Sequence, residues 1–276
     1  MNEQSTLPNT AAPVASPVSQ VLAVMRLTNA QVFRNRRTIL FAMLALVPPA
    51  LALLLAALTR IPDTSFPTGW EFYSLLIVFV YLHLMLLSVT LFYGTHLINA
   101  EVEERTITYL LIRPVPRPLL VLGKYLSYLV AAFLLLIPSM LLTWVILEAS
   151  DGLGGFGRHL PYVLWDVGVM LLGTMAYGAL FLLFGTALRR PIMAGLFFAV
   201  VWEVVVTYIP GRFGKFTILH YLLSLLPHST VQRGVQNLFQ SVTSKPVSVV
   251  ILLLVSAVFL GLAMLLFSRR EYVLEQ

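Results

Sequence analysis

Six apolar runs, each bounded by polar or basic residues, divide the chain: Thr38–Leu58, Phe72–Ile98, Tyr125–Leu147, Tyr162–Leu188, Pro191–Ile209 and Val247–Phe267. Each exceeds the roughly 18 residues that a bilayer crossing requires, and at about 1.5 Å rise per residue a run of about 21 covers the hydrocarbon core. Backbone groups find no water there, so such runs must be helices. No run alternates polar and apolar positions as a barrel strand does. The second and fourth are long enough to tilt or to project beyond the membrane. The pattern predicts an all-α membrane protein of six spans.

The segments outside the runs read differently. Residues 1–18 are rich in Ser, Thr, Pro, Ala and Asn, without the basic start and apolar stretch of a signal peptide, and are expected to be a disordered tail. The remainder, 19–276, is expected to form one six-span membrane domain. Ser19–Arg37 sets Val21, Val24, Met25, Thr28 and Val32 at helical spacing, with Arg26, Asn29 and Arg36 on other faces. That is a basic amphipathic helix suited to the membrane interface; an ordinary basic flank is the other reading. Pro48-Pro49 and Pro138 interrupt backbone bonding in spans one and three and predict kinks, as hinges or as tolerated prolines. Small residues four apart (Thr174/Gly178, Gly195/Ala199, Ala257/Gly261) allow close helix contact, within one subunit or at a dimer seam.

Two connections carry more than a turn. After span two, Glu101, Glu103, Glu104 and Arg105 lead out of the membrane into Thr106–Ile112, an apolar piece too short to cross anything. Thr106 is placed to cap it, and Arg113-Pro114 ends it, because the residue before a proline avoids helical geometry. Pro-Val-Pro-Arg-Pro then reverses the chain, and Gly123-Lys124 opens span three. Exposed leucines at 110 and 111 need a partner surface. Between spans five and six, Phe216–Leu226 and Thr230–Phe239 flank Pro227 and predict short helices dipping into the bilayer, as an external gate or as a simple loop packed on the span ends.

Composition agrees with the pattern: 59% of residues are hydrophobic, 11% are charged, and the mean hydropathy is +0.88. A soluble domain carries about 25% charged residues. There is no cysteine, which excludes disulfides and thiolate metal sites. The net charge of +6 matters through its placement. Twelve Lys and Arg lie before span one, between spans two and three, after span four and after span six, against six on the opposite connections. The positive-inside rule then puts both termini in the cytoplasm, and no nucleic-acid partner is expected.

Candidate chemistry is sparse. No phosphate-binding loop, hydrolase serine motif or metalloprotease motif is present, so the chain itself is expected to be non-catalytic and to bind no cofactor. Two ionisable residues stand deep in spans: His83 in the second and Glu203 in the fifth. Such groups normally face the bundle interior or a water-filled path. A pathway role and a satisfied structural role both stay open for each. The acids Asp63, Glu71, Glu148, Asp151 and Asp166 and the histidines 159, 220 and 228 gather on the external side without ligand spacing, so no metal site is assigned.

The order Glu-x-x-x-Arg-Thr-x-x-x-Leu-Leu-x-Arg-Pro-x-x-Arg followed by Gly-Lys resembles the cytoplasmic loop of type-2 ABC-transporter permeases. The likeness rests on Glu101, Glu104, Thr106, Leu110, Leu111, Pro114, Arg117, Gly123 and Lys124. It departs from that pattern at Arg105, where glycine is usual, and at Pro116, where serine is common. The resemblance implies that Thr106–Arg113 is a coupling helix seated in a separate ATPase subunit, with Glu101, Glu104, Arg113 and Arg117 around it. It also implies that Ser19–Arg37 is the elbow helix, whose Arg26, Arg34 or Arg36 pairs with Glu101 or Glu104. Two cytoplasmic ATPase subunits binding ATP and Mg²⁺, a second permease copy or homologue, a bacterial cytoplasmic membrane and export by alternating access follow from the same likeness. The substrate is unidentified; aromatic, apolar spans suit a lipophilic one. An external accessory protein stays open as a further partner. Two rivals remain: a gradient-driven transporter or channel using Glu203 and His83, and a membrane anchor transmitting ATPase strokes to an external partner.

Overall fold

The computed structural model describes residues 16–34, 36–59, 68–103, 116–206, 209, 213–228 and 243–269. All regular structure among them is helical. Five helices are long and apolar enough to cross a membrane: Thr38–Leu58, Gly69–Leu97, Arg117–Ser150, Phe156–Ala187 and Lys245–Arg269. The predicted fifth span appears as a shorter apolar helix beginning at Pro191. The end of the bundle that carries the N-terminal helix is called basal below, and the opposite end distal.

Helix α1 (Pro17–Arg34) starts two residues before the predicted Ser19, so Pro17 and Val18 are helical and not part of a tail. Ser16 explains the start: its Oγ accepts from Ser19 N–H at 3.3 Å, and Pro17 supplies the preset φ that suits a first turn. Val24 and Thr28 are buried and Val21 and Met25 half-buried, while Arg26 is exposed. The apolar face therefore packs on a neighbouring helix, α6 (Arg117–Ser150).

Span one is α2 (Arg36–Ala45) and α3 (Val47–Leu58), separated at Leu46. Pro48 and Pro49 sit in the first turn of α3, where a missing N–H costs least. Pro49 leaves the carbonyl of Ala45 without its usual i+4 donor, and the Ser139 hydroxyl of α6 donates to that oxygen instead. Tyr81 Oη stands 2.9 Å from Ser139 Oγ and 2.8 Å from Thr143 Oγ1, which completes the buried hydroxyl chain. Pro138, by contrast, lies inside an unbroken α6.

Span two runs through α4 (Gly69–Leu76), the π-helical π1 (Ile77–Leu86) and α5 (Leu87–Glu103). Its start is a capping box: Thr68 Oγ1 accepts from Glu71 N–H, and Glu71 Oε2 accepts from Thr68 N–H, both at 3.3 Å. After α6 and a 3₁₀ turn at Leu153–Gly155 comes α7 (Phe156–Ala187). Then α8 (Pro191–Phe197) passes into a second π segment, π2 (Phe198–Val206). A 3₁₀ turn at Phe213–Phe216 precedes α9 (Ile218–Leu225), and α10 (Lys245–Arg269) closes the described chain.

Helix α7 lies centrally against α5, α6 and α10. In its most apolar window 61% is buried, as in span two, against 28% for span one and 17% for α10. The peripheral helices present Leu51, Leu53 and Leu54, and Val250, Leu254 and Val258, as exposed surface suited to lipid. Close contact at the basal end depends on Gly185, where a Cβ would come within 2.8 Å of the Thr95 carbonyl on α5. The glycines of the small-residue pairs differ in their surroundings. Gly178 faces the Tyr128 ring and Gly195 faces Leu91 inside the bundle, whereas Gly261 on α10 meets nothing within 4 Å.

Candidate functional site

Glu203 is a fully enclosed carboxylate within the described bundle, with no exposed surface. It projects from π2 towards α7 and the start of α9. Its Oε2 accepts from Tyr177 Oη at 2.7 Å and from Leu219 N–H at 2.9 Å; Oε1 accepts from Ile218 N–H at 3.1 Å. Ile218 and Leu219 are the first two residues of α9, whose leading N–H groups lack intrahelical acceptors. The Thr217 hydroxyl takes the next, from His220 N–H at 3.3 Å. Glu203 thus serves as a side-chain cap delivered from another helix, and the positive end of α9 suits a carboxylate. The short helix is buried almost throughout, with Leu219, Leu222 and Leu225 fully enclosed.

His83 sits in π1 and is half-buried. Its Nδ1 is 2.7 Å from the Val78 carbonyl, five residues earlier, the spacing that π-helical winding brings into line. Since a carbonyl only accepts, Nδ1 carries the proton. The ring stacks at 6.0 Å on Phe79, which is exposed. The two deep residues singled out by sequence therefore occupy the two π segments: Glu203 joins three elements, and His83 bonds back to the Val78 carbonyl of its own segment.

Of the distal acids and histidines Asp63 lies outside the described residues, and each of the others has its own partner. Asp166 Oδ2 and His228 Nε2 are 2.9 Å apart, both fully buried, and His228 Nδ1 is 3.0 Å from Ser74 Oγ. Glu148 Oε2 lies 2.9 Å from His159 Nδ1, and the His159 ring stacks face to face on Trp70 at 4.1 Å. Asp151 Oδ2 accepts from Gly69 N–H at 2.7 Å and so fastens α4 to the end of α6. Glu71 is spent on its capping box. Among the described residues no three His, Cys, Asp or Glu gather as a metal ion would need. His220 Nε2 meets Thr243 Oγ1 at 3.0 Å, tying α9 to the approach of α10. Burial first, and the Lys215 cation second, hold the His220 imidazole below its ordinary value.

At the basal end, Arg117 Nη1 donates to the Ser268 carbonyl at 3.1 Å, and the Lys124 ammonium donates to the Leu97 carbonyl at 2.7 Å. Lys124 is only 2% exposed. Ser127 Oγ donates to the Met25 carbonyl of α1 at 2.8 Å. The remaining sites expected to couple to an ATPase, Glu104, Thr106, Leu110, Leu111 and Arg113, lie outside the described residues. Glu101 falls at the end of α5 and Arg34 and Arg36 at the junction of α1 and α2, with their side chains outside the description.

Sequence reading missed Tyr177, Ser74, Trp70 and the buried setting of Lys124. Tyr177 carries no local signal, because its partner is 26 residues away on another helix. For Asp166 and His228, a carboxylate just inside span four and a histidine directly after Pro227 were visible, but not their meeting across 62 residues.

The sequence matches the model of the family described as ABC-2 family transporter protein over residues 72–272. No curated protein matches it.

Proposed function

The chain belongs to the ABC-2 transporter family, a family of multi-pass membrane subunits that associate with ABC ATPases, and from that premise we propose that it exports a substrate by alternating access, driven by ATP hydrolysis in separate cytoplasmic subunits. Two permease copies or homologues pair with two ATPases that bind ATP and Mg²⁺. The helix from Pro191 through Val206 is the fifth of six crossings, both termini are cytoplasmic, and the membrane is the bacterial cytoplasmic one. Thr106–Arg113 forms the coupling helix, and ATPase closure moves spans two and three as a lever. A lipophilic substrate suits the aromatic, apolar interior.

The observation that carries this reading is the family match itself, which runs from the first turn of span two past the end of α10 and includes the whole 104–115 connection. Glu203 is assigned a structural role, because each carboxylate oxygen already accepts from α9.

The experiment is purification of the chain in nanodiscs, identification of what co-purifies, and an ATPase assay of the complex. An ATPase should accompany the wild type and be lost from the Leu110→Asp/Leu111→Asp variant. If no ATPase accompanies the wild type, and the leucine variant behaves identically, the ATP-driven reading is wrong and a stand-alone transporter takes its place.

A further inference from the structure

The contacts of α6 near its start are distributed in a way the permease reading does not require. Arg117 reaches the C-terminal turn of α10. Lys124, seven residues later, reaches the Leu97 carbonyl of α5. Between them Gly123 faces α1: a Cβ there would sit 2.9 Å from both Cβ and Cγ1 of Val24 and 3.2 Å from the Val21 carbonyl. One turn on, Ser127 binds the Met25 carbonyl of the same helix. Three helices distant in sequence thus fasten to three successive turns of a fourth. The fastenings use backbone carbonyls as acceptors, so they fix the position of each helix axis and not merely a side chain.

The energetics favour a fixed joint. A lysine ammonium enclosed to 2% exposure is costly to leave unpaired, so the Lys124–Leu97 contact resists opening. A glycine facing Val24 permits backbone approach that no other residue allows, and Ser127 locks the register of that approach.

We propose that the first three turns of α6, through Arg117, Gly123, Lys124 and Ser127, bind α1, α5 and α10 into one rigid basal unit. Force delivered to the 104–115 connection then moves these four helices together, in place of bending α5 and α6 alone. Arg117 and Lys124 are positioning residues within the chain, whatever else they touch. The inference rests on the permease reading for the origin of the force; the rigidity itself does not.

The test uses the full chain in nanodiscs with its co-purified ATPase. The protein has no native cysteine, so spin labels at Ser19→Cys on α1 and at the exposed Phe92→Cys on α5 report one distance by pulsed electron resonance. In the wild type that distance should be narrowly distributed and unchanged by trapping with ATP and vanadate. Lys124→Met should broaden it or make it respond to trapping, whereas Lys124→Arg, which keeps a donor, should restore the wild-type distribution. Gly123→Ala offers a second approach if the lysine variant does not fold: it should displace α1, and Val24→Gly in the same chain should return it. A purely stabilising contact would lower the melting midpoint and leave the distance fixed. A wild-type distance that shifts on trapping, or a Lys124→Met distance as narrow and fixed as the wild type's, overturns the rigid unit. Absence of any co-purifying ATPase defeats the permease reading instead, and the unit is then judged by the distance widths alone.

Discussion

A single carboxylate illustrates what complete burial among helices demands of a side chain. Glu203 has no exposed surface, and three donors from two other elements converge on it. Glutamine at this position keeps one acceptor oxygen and turns a donor towards donors. Hydrogen bonds of this kind contribute about 1–3 kcal/mol each when one partner is removed. Glu203→Gln should therefore lower the melting midpoint by several degrees and free the first turn of α9. Tyr177→Phe should cost less, and the double variant should cost less than the two effects summed, because both remove the same bond. Thermal unfolding of the four proteins in nanodiscs measures this cycle; strict additivity would show that Tyr177 and Glu203 act separately. The residue types were legible in the sequence, since a glutamate in VVWEVVV requires an explanation. The partners were not: two are backbone groups 15 and 16 residues on, whose position depends on a turn that spacing does not specify.

At the scale of elements, the sequence was most informative where length and hydropathy decide. Span one was read as Thr38–Leu58 and is found at those limits. Spans three and four were read as Tyr125–Leu147 and Tyr162–Leu188, shorter at their starts than the helices found from Arg117 and Phe156, because Arg117, Lys124, Arg158 and His159 interrupt the apolar run without ending the helix. The π segments had no visible signature: Ile77–Leu86 and Phe198–Val206 have the composition of any apolar helix. What distinguishes them is winding, set by tertiary contacts. Helix α9 was expected only as a short piece dipping into the bilayer, and its eight residues cannot stand alone. They are held by the Glu203 and Thr217 caps and by His220. Because the folded imidazole titrates below its ordinary value, its contribution is complete above about pH 6.5 and is lost as the pH falls through the folded value. The melting midpoint should fall on acidification below about pH 6.5, and His220→Gln should flatten part of that fall. Superimposable pH profiles for the two proteins would remove His220 from the account.

For the whole molecule, the open matter is which side each connection faces. The chain offers a clean means of deciding, since any introduced cysteine is the only one. Gly154 has open space where a side chain would go, and Ser16 is exposed at the other end of the bundle. With an impermeant maleimide on intact cells, Gly154→Cys should label and Ser16→Cys should not. The helix from Pro191 is tested the same way: Lys215→Cys should label from outside and Arg189→Cys only after permeabilisation. Equal labelling of the last two would mean that this helix enters and leaves on one side, and that the crossings number five. Overall architecture was legible because a bilayer allows few solutions. The distal and basal joints were not, because they pair groups as far apart as Asp166 and His228 or Arg117 and Ser268.

The Arg117–Ser268 contact also has a meaning in time. It spans 151 residues, nearly to the end of the described chain. During synthesis α6 enters the membrane long before its acceptor exists, so the joint between α6 and α10 closes only after α10 has left the ribosome and inserted, later than the joints to α1 and α5. Completion of that one bond thus marks a chain in which α10 is in place, and a nascent or truncated protein without α10 leaves the start of α6 unjoined on that side.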